Sequence, residues 1–571
     1  MTALIDHIRR PLRRAAALAA ALAMSAHASA QAAPAPEPAS LFVKGPPPAR
    51  ELIVSDISQL PANLRLTFVS LQGVVNQAEP RLFLLTMGYD AQWAEWLKDR
   101  GDIDSLRHVA PVELIEMFRH ELAGQVVVDP ALDASINVAT MLASLEKLLI
   151  THPDYADVYA ERYGLPIVHD LRGVFATSGA AYRWAKENLW PRLNHHALAM
   201  LHPSIPHLRD FLIQQKVFVW WQGGKADGGG TMNRFEELKV THEVLREAPV
   251  NIPVLGYPWA GEGVGPGEHE GVSLFSQYGK FLLPSDLASN LSVHASARPP
   301  RPAALRNAPD RPAPLSGPAA TEPAHVNPAK VYLSVLISDG DNIQALLNYF
   351  PRYFEGQEEI QGAPRRTAAW SISPAAHDLI PAVVDYYAAK RLPGDYFLTA
   401  VSGIGYVYLD QYGKEVQDTK AALDGFLSLT RDYMVRLGLT AIWPMTPGGA
   451  MSEEALRLYA DSIEFLTAIL PDYGQKVRRY EEANRVLRIG DRVVPVFHAM
   501  GGESPLAAGI KKALQDAPRP AFAHAFALNW NVQPEELAAL SDTLGDKYVL
   551  VTPAELARLY LSSLGLSGNP E

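Results

Sequence analysis

The 571-residue chain contains no cysteine. That excludes disulfide staples, thiolate catalysis, sulfur-ligated metal and a cysteine-borne lipid anchor. Basic runs are confined to the N-terminus, and 51 Lys and Arg face 62 Asp and Glu for a formal net charge of −11. No stripe for a nucleic-acid backbone exists, so no nucleic-acid partner is expected. No apolar run approaches the ~20 residues that cross a bilayer, so no stable membrane insertion is expected. Gly223-Gly224-Lys225 and Asp227–Gly230 do not make a phosphate loop, because the lysine is not followed by Ser or Thr. H-x₃-H and H-E-x-x-H spacings are also missing. What remains is 48% hydrophobic and 20% charged, an ordinary globular composition long enough for two to four domains.

Arg9, Arg10, Arg13 and Arg14 precede the short apolar run Ala15–Met24, and Ala28-Ser29-Ala30 offers a small-x-small cleavage site. Residues 1–30 therefore read as a cleavable signal peptide, cut near Ala30, and the expected location is periplasmic or secreted. Residues 31–50 are an Ala/Pro-rich leader.

Residues 51–297 alternate β-rich runs with helical stretches. Strands are expected at Leu52–Val54, Arg81–Leu85, Gln125–Val128, Pro166–Val168, Val217–Trp221, Pro253–Leu255 and Lys280–Leu283. An amphipathic helix is expected over Asn137–Ile150. Nine prolines within Arg298–Pro328 mark that stretch as an exposed linker or insertion. Beyond it, residues 329–571 alternate regularly, with strands expected at Val331–Ile337, Thr367–Ile372, Tyr396–Ala400, Thr440–Trp443, Val493–His498, Ala521–Leu528 and Tyr548–Val551. Helices are expected at Pro381–Lys390, Ala421–Leu437, Glu453–Leu470, Glu535–Leu544 and Pro553–Leu561. The fold class is α/β: a C-terminal (β/α)7–8 barrel-like domain preceded by an α/β N-terminal region of one or more subdomains, with a doubly wound open sheet as the alternative.

Both architectures place their sites at the C-terminal ends of strands. The residues there are Ser338-Asp339-Gly340-Asp341-Asn342, then Ser371, Ser373 and His377, then Val401–Tyr408. Trp443, His498 to Glu503 and Asn529-Trp530 follow. Asp339 and Asp341 can share acid–base work or hold a hard cation; equally, an Asp-Gly turn uses such side chains to cap backbone amides. Glu503 is the second candidate carboxylate, against a plain solvated loop acid. Glu555 falls in a capping box, Thr552-Pro553-Ala554-Glu555. His377, His498 and His524 each read singly as structural; jointly with the aspartates they resemble a divalent-metal site, whereas His195-His196 reads as a surface pair. No cofactor is otherwise expected. Trp443 and Trp530 suit sugar stacking or core packing. Gly403 and Gly405 free the backbone, and Tyr406 and Tyr408, two apart in an extended segment, present their rings together.

Gly403-Ile404-Gly405-Tyr406-Val407-Tyr408 resembles the motif that names the GxGYxYP putative glycoside hydrolase family, and Ser338–Asn342 is similar to its other hallmark. Leu71-Gln72-Gly73-Val74-Val75-Asn76, with Pro80 behind it, and Ser135–Thr140 also look familial. Leu409 stands where the motif ends in proline, and Arg298–Pro328 looks like an insertion. The resemblance implies bacterial export and carbohydrate processing. The combined expectation is an exported carbohydrate-active hydrolase using Asp339 and Asp341 with Glu503. Ser338, Asn342, His377, Gly403, Gly405, Tyr406, Tyr408, Trp443, His498, Asn529 and Trp530 would bind its carbohydrate substrate. The alternatives are a metal-dependent carbohydrate deacetylase and a non-catalytic glycan-binding protein.

Overall fold

The computed structural model describes residues 40–228, 230–307, 326–339, 342–355, 366–448, 450–471 and 479–566. The expected signal peptide and Asp341 lie outside them.

Ten short strands precede the proline-rich stretch: β1 (Glu51–Asp56), β2 (Leu82–Leu85), β3 (Ser105–His108), β4 (Gly124–Val127), β5 (Leu148–Thr151), β6 (Ile167–Asp170), β7 (Asn194–Met200), β8 (Val217–Trp220), β9 (Pro253–Gly256) and β10 (Phe281–Pro284). They form three separate parallel sheets, ordered β2-β1-β3, β5-β4-β6 and β10-β9-β7-β8. Parallel neighbours need crossover segments, and helices supply nearly all of them. Three of these strands, β3, β5 and β7, escape the sequence reading. At β5 the reason is visible: the helix runs only Ala134–Glu146, Lys147 turns left-handed at φ 56°, and Leu148–Thr151 continues as a fully buried strand. A short apolar run does not distinguish helix from strand by periodicity.

The three sheets are tied by buried amides. Gln72 Nε2 donates to the Leu82 carbonyl (3.0 Å) and Asn290 Oδ1 (2.6 Å), and Asn76 Nδ2 to the Leu82 carbonyl and Ser292 Oγ (both 2.9 Å). Asn137 Oδ1 accepts from the buried Arg209 guanidinium at 3.0 Å. Asp210 Oδ2 accepts from the Ser292 amide (2.9 Å) and Oγ (2.7 Å). Burial pushes its carboxyl up to about 6.

The C-terminal sheet holds β11 (Val331–Ile337), β12 (Ala368–Ile372), β13 (Asp395–Thr399), β14 (Ala441–Ile442), β15 (Ala468–Ile469), β16 (Asn484–Ile489), β17 (Arg492–Phe497), β18 (Ala521–Ala527) and β19 (Tyr548–Leu550). Its order is β16-β17-β15-β14-β13-β12-β11-β18, with β19 also on β11 and only the β16–β17 hairpin antiparallel. The sheet is a strongly curled half-barrel. A parallel bridge from Ala499 to His524, with the Met500 amide donating to the His524 carbonyl at 2.7 Å, joins the chain after β17 to β18. β11 reads as a continuous apolar run because it is buried along its whole length. Beneath β12 and β13, Arg366 grips Asp395 with two nitrogens at 2.8 and 2.9 Å, and Trp370 Nε1 donates to the same carboxylate at 2.8 Å.

Two sequence expectations fail in this half. The helix expected over Glu453–Leu470 stops at Ser462 and gives way to β15; the one over Glu535–Leu544 is two short helices, Pro534–Ala538 and Leu540–Leu544. The proline-rich stretch also begins as a packed strap. Residues 298–307 are pinned by Arg298 on Asp102 (3.0 Å), by the Ala303 and Leu305 amides on the Arg436 and Leu437 carbonyls, and by Asn307 on the Phe397 backbone. The end of the expected leader is similarly held, with the Leu41 amide on Asp378 Oδ2 at 3.0 Å.

Candidate functional site

Two residues past β11 the chain adopts a backbone that non-glycine residues rarely take. Asp339 sits at φ 81° and is 8% exposed. Strain of this kind persists where surrounding structure over-determines it, and it clusters at functional positions. Here the determinants are visible. Asn529, two residues past the neighbouring β18, donates Nδ2 to Asp339 Oδ2 at 3.1 Å; Asn342 Nδ2 stands 3.4 Å from Oδ1, and the Asn342 amide donates to the Asp339 carbonyl at 3.0 Å. Asn529 is held in turn, because Tyr353 Oη and the Arg352 guanidinium both donate to its carbonyl. Burial, with the Asp339 charge adding to it, raises the Tyr353 phenol, so it stays a neutral donor. The Ser338 hydroxyl and Asn529 Oδ1 are buried without a partner among the described residues. A carboxylate held by two amides, next to unspent polar atoms, offers a cradle for a polar ligand.

The third N-terminal sheet reaches the same region. Just past β10, Asp286 is 8% exposed and its Oδ1 accepts from Gln344 Nε2 at 2.8 Å. Gln344 lies two residues beyond Asn342, in the helix Ile343–Asn348, and Asn348 Nδ2 reaches the Leu287 carbonyl at 3.2 Å. Burial pushes the Asp286 carboxyl up to about 6.

Tyr406 and Tyr408 do present their rings together, with centroids 5.7 Å apart and hydroxyls 3.2 Å apart, but both are buried against the N-terminal region. Tyr406 pairs its backbone with Leu282 of β10 in an antiparallel bridge (2.9 and 3.1 Å) and donates Oη to Glu268 at 3.0 Å. Tyr257 Oη donates to the other oxygen of Glu268 at 2.6 Å, and Tyr408 Oη bonds His269. Burial first, and the Glu268 charge second, raise the Tyr406 phenol well above its usual range. Gly405 serves the same contact, whereas Gly403 packs on the helix Thr419–Leu437. A Cβ on Gly405 would stand 2.5 Å from the Phe281 ring and 2.9 Å from the Leu282 carbonyl oxygen; one on Gly403, at φ 130°, would meet Thr430 Oγ1 at 2.4 Å.

The other expected residues are spread along the strand ends. Trp443 is buried and stacks on Phe526 at 5.1 Å, while Trp530 is 54% exposed. His377 Nδ1 pairs with Asp378 at 2.7 Å, and Asp378 also accepts from Tyr433. His498 Nδ1 rests on the Ala483 carbonyl at 3.2 Å, and burial lowers its imidazole. These histidines are engaged separately, and among the described residues no three His, Asp or Glu side chains converge as a metal site. Glu503 is exposed on a loop whose Gly502 lies against the Phe526 backbone. The Glu555 amide bonds Thr552 Oγ1 at 3.2 Å, one half of the expected capping box, and the Glu555 carboxylate pairs with Arg558 (2.7 Å).

Family models match most of the chain. Residues 329–561 match the GxGYxYP putative glycoside hydrolase C-terminal domain, 195–296 the GxGYxYP third domain, 122–193 the GxGYxYP_N second domain and 51–120 the GxGYxYP_N 1st domain. The chain belongs to the GxGYxYP family. A crystal structure described as a putative hydrolase from Bacteroides thetaiotaomicron VPI-5482 shares the fold at TM-score 0.74 and 20% identity, covering 93% of this chain and 98% of that one. The glycosyltransferase SnogD from Streptomyces nogalater aligns at TM-score 0.13 and 11% identity, over 91% of this chain and 96% of that one. No curated protein matches.

The motif that gives the GxGYxYP family its name thus fastens the third N-terminal sheet to the curled sheet. Leu409, in place of the final proline, is itself buried and opens the turn Leu409–Gln411. Sequence reasoning missed Asp286, Gln344, Arg352, Tyr353 and Glu268. The signal for Asp286 is its place two residues past β10, a strand end of the N-terminal region.

Proposed function

We infer that this GxGYxYP protein is an exported carbohydrate-active hydrolase that cleaves glycosidic bonds at Asp339. The observation that carries the reading is a buried carboxylate on a left-handed backbone at the end of a core strand, aimed by Asn529 and Asn342. Glycoside hydrolysis takes a carboxylate as nucleophile or base, opposite a second carboxyl that gives a proton to the leaving group. Asp339 takes the first role. Export follows from the N-terminal basic and apolar segments. The Ala499–His524 bridge supports closure of the curled sheet into a seven-stranded barrel through β17, β15, β14, β13, β12, β11 and β18. In such a barrel these strand ends form the catalytic face. Incubating the purified protein with a panel of hexose and hexosamine glycosides tests the reading: the wild type releases sugar from at least one, and Asp339→Asn loses that activity by about 10³-fold or more. Full turnover by Asp339→Asn would sink it.

A further inference from the structure

Glycosidic cleavage at Asp339 leaves the proton donor unnamed, and the exposed Glu503 is a poor choice. A general acid must carry a proton to the leaving group, and burial favours the protonated carboxyl. Asp286 meets that need from outside the curled sheet. It follows β10, the strand that the Tyr406–Leu282 bridge presses against the loop after β13. Its carboxyl is hydrogen-bonded to Gln344, two residues past the Asn342 that holds Asp339. The Gln344 side-chain oxygen, Oε1, is buried without a partner among the described residues, and Gln344 is itself 8% exposed. Asp286, Gln344 and Asp339 are each 8% exposed. Among the described residues, what faces the Asp286 carboxyl is uncharged: Gln344 and the amides of Asp286 and Leu287.

Resting on the glycosidase reading, we propose that Asp286, contributed by the third N-terminal sheet, is the catalytic general acid that protonates the departing glycosidic oxygen. As the bond from the anomeric carbon to that oxygen breaks, its electron pair stays on the oxygen and takes the Asp286 proton. The alcohol leaves and Asp286 becomes a carboxylate. The anomeric carbon forms its new bond either to a water oxygen, whose proton passes to Asp339, or to Asp339 itself. In the second case water later attacks the ester carbon–oxygen bond at the sugar and returns its proton to Asp286.

The test compares 2,4-dinitrophenyl glycosides, whose leaving group needs no proton, with methyl glycosides of the same sugars. Asp286→Asn is expected to lose about 10²–10⁴-fold in kcat/KM on methyl glycosides and less than about tenfold on dinitrophenyl glycosides, and to lose the alkaline limb of the pH profile. Gln344→Met, which keeps the acid and removes its hydrogen bond, is expected to shift that limb to higher pH. Equal losses on both substrates, or an unmoved alkaline limb in both variants, overturn the assignment while leaving the glycosidase reading intact. A wild type inactive on the whole panel overturns both.

Discussion

Adding one methyl group at Gly405 separates a fastening role for the name-giving motif from a substrate-binding one. Gly405 has an ordinary backbone angle, so alanine brings no conformational strain, only contact with the Phe281 ring at 2.5 Å and the Leu282 carbonyl oxygen at 2.9 Å. Overpacking of this kind costs about 1–3 kcal/mol. The clash falls on the Leu282–Tyr406 bridge, and stretching one of its two hydrogen bonds adds about 1 kcal/mol. A total near 3 kcal/mol, at roughly 2 °C per kcal/mol for a large cooperative unit, lowers Tm by about 6 °C. Thermal unfolding followed by intrinsic fluorescence reads this shift. Gly88→Ala is the control, since no atom lies within 4 Å of its added Cβ. If Gly405→Ala keeps the wild-type Tm while losing glycan binding or turnover, the motif is a pocket wall and the fastening argument is wrong.

Asp395→Ala strands the buried Arg366 guanidinium and is expected to cost about 3–5 kcal/mol, visible as a large drop in Tm or as insoluble expression. Asn529→Ala should lower turnover strongly while costing only about 1–3 kcal/mol of stability, because it removes the amide that aims Asp339; unchanged kcat would refute that role. Asp210 titrates near 6 when folded against an ordinary 3.8, so its contribution is complete below pH 4 and is lost as pH rises through 6. Asp210→Asn should therefore gain on the wild type between pH 4 and 7, by at most about 3 kcal/mol at 1.36 per unit; a Tm difference that is flat across that range counts against it. Trp530→Ala should leave Tm unchanged, since the ring is half in solvent, and weaken retention on glycan affinity gels.

The curled sheet was legible because β11, β12, β13 and β18 are buried on both faces and so read as apolar runs between helices. β14 and β15 are two residues each, too short for a periodic signal, and β15 was absorbed into a preceding helix. Asp339 was found by its place after a strand. Its aim was not, because Asn529 and Asn342 act through a left-handed backbone angle that composition does not announce. The tyrosine motif misled for a related reason. Glycines that admit a ligand and glycines that admit another strand look alike in sequence, and only β10 lying 2.5 Å from a hypothetical Cβ distinguishes them. Gln72, Asn76 and Asn137 were noticed as familial; their work as buried carbonyl clamps depends on partners up to 218 residues away.

β11 takes its full-length partner from β18 and a second from β19, with Val331 in register with both Ala521 and Tyr548. The first strand of the half-barrel thus remains open along one edge until nearly the last residues of the chain have emerged. Tyr560, packed on Phe497 and Phe522, arrives later still. Such long-range closure is slow and leaves an apolar edge waiting. A chain released from its N-terminus would hand over three finished sheets and one unfinished one, and truncation ahead of Ala521 would leave β11 open along that edge.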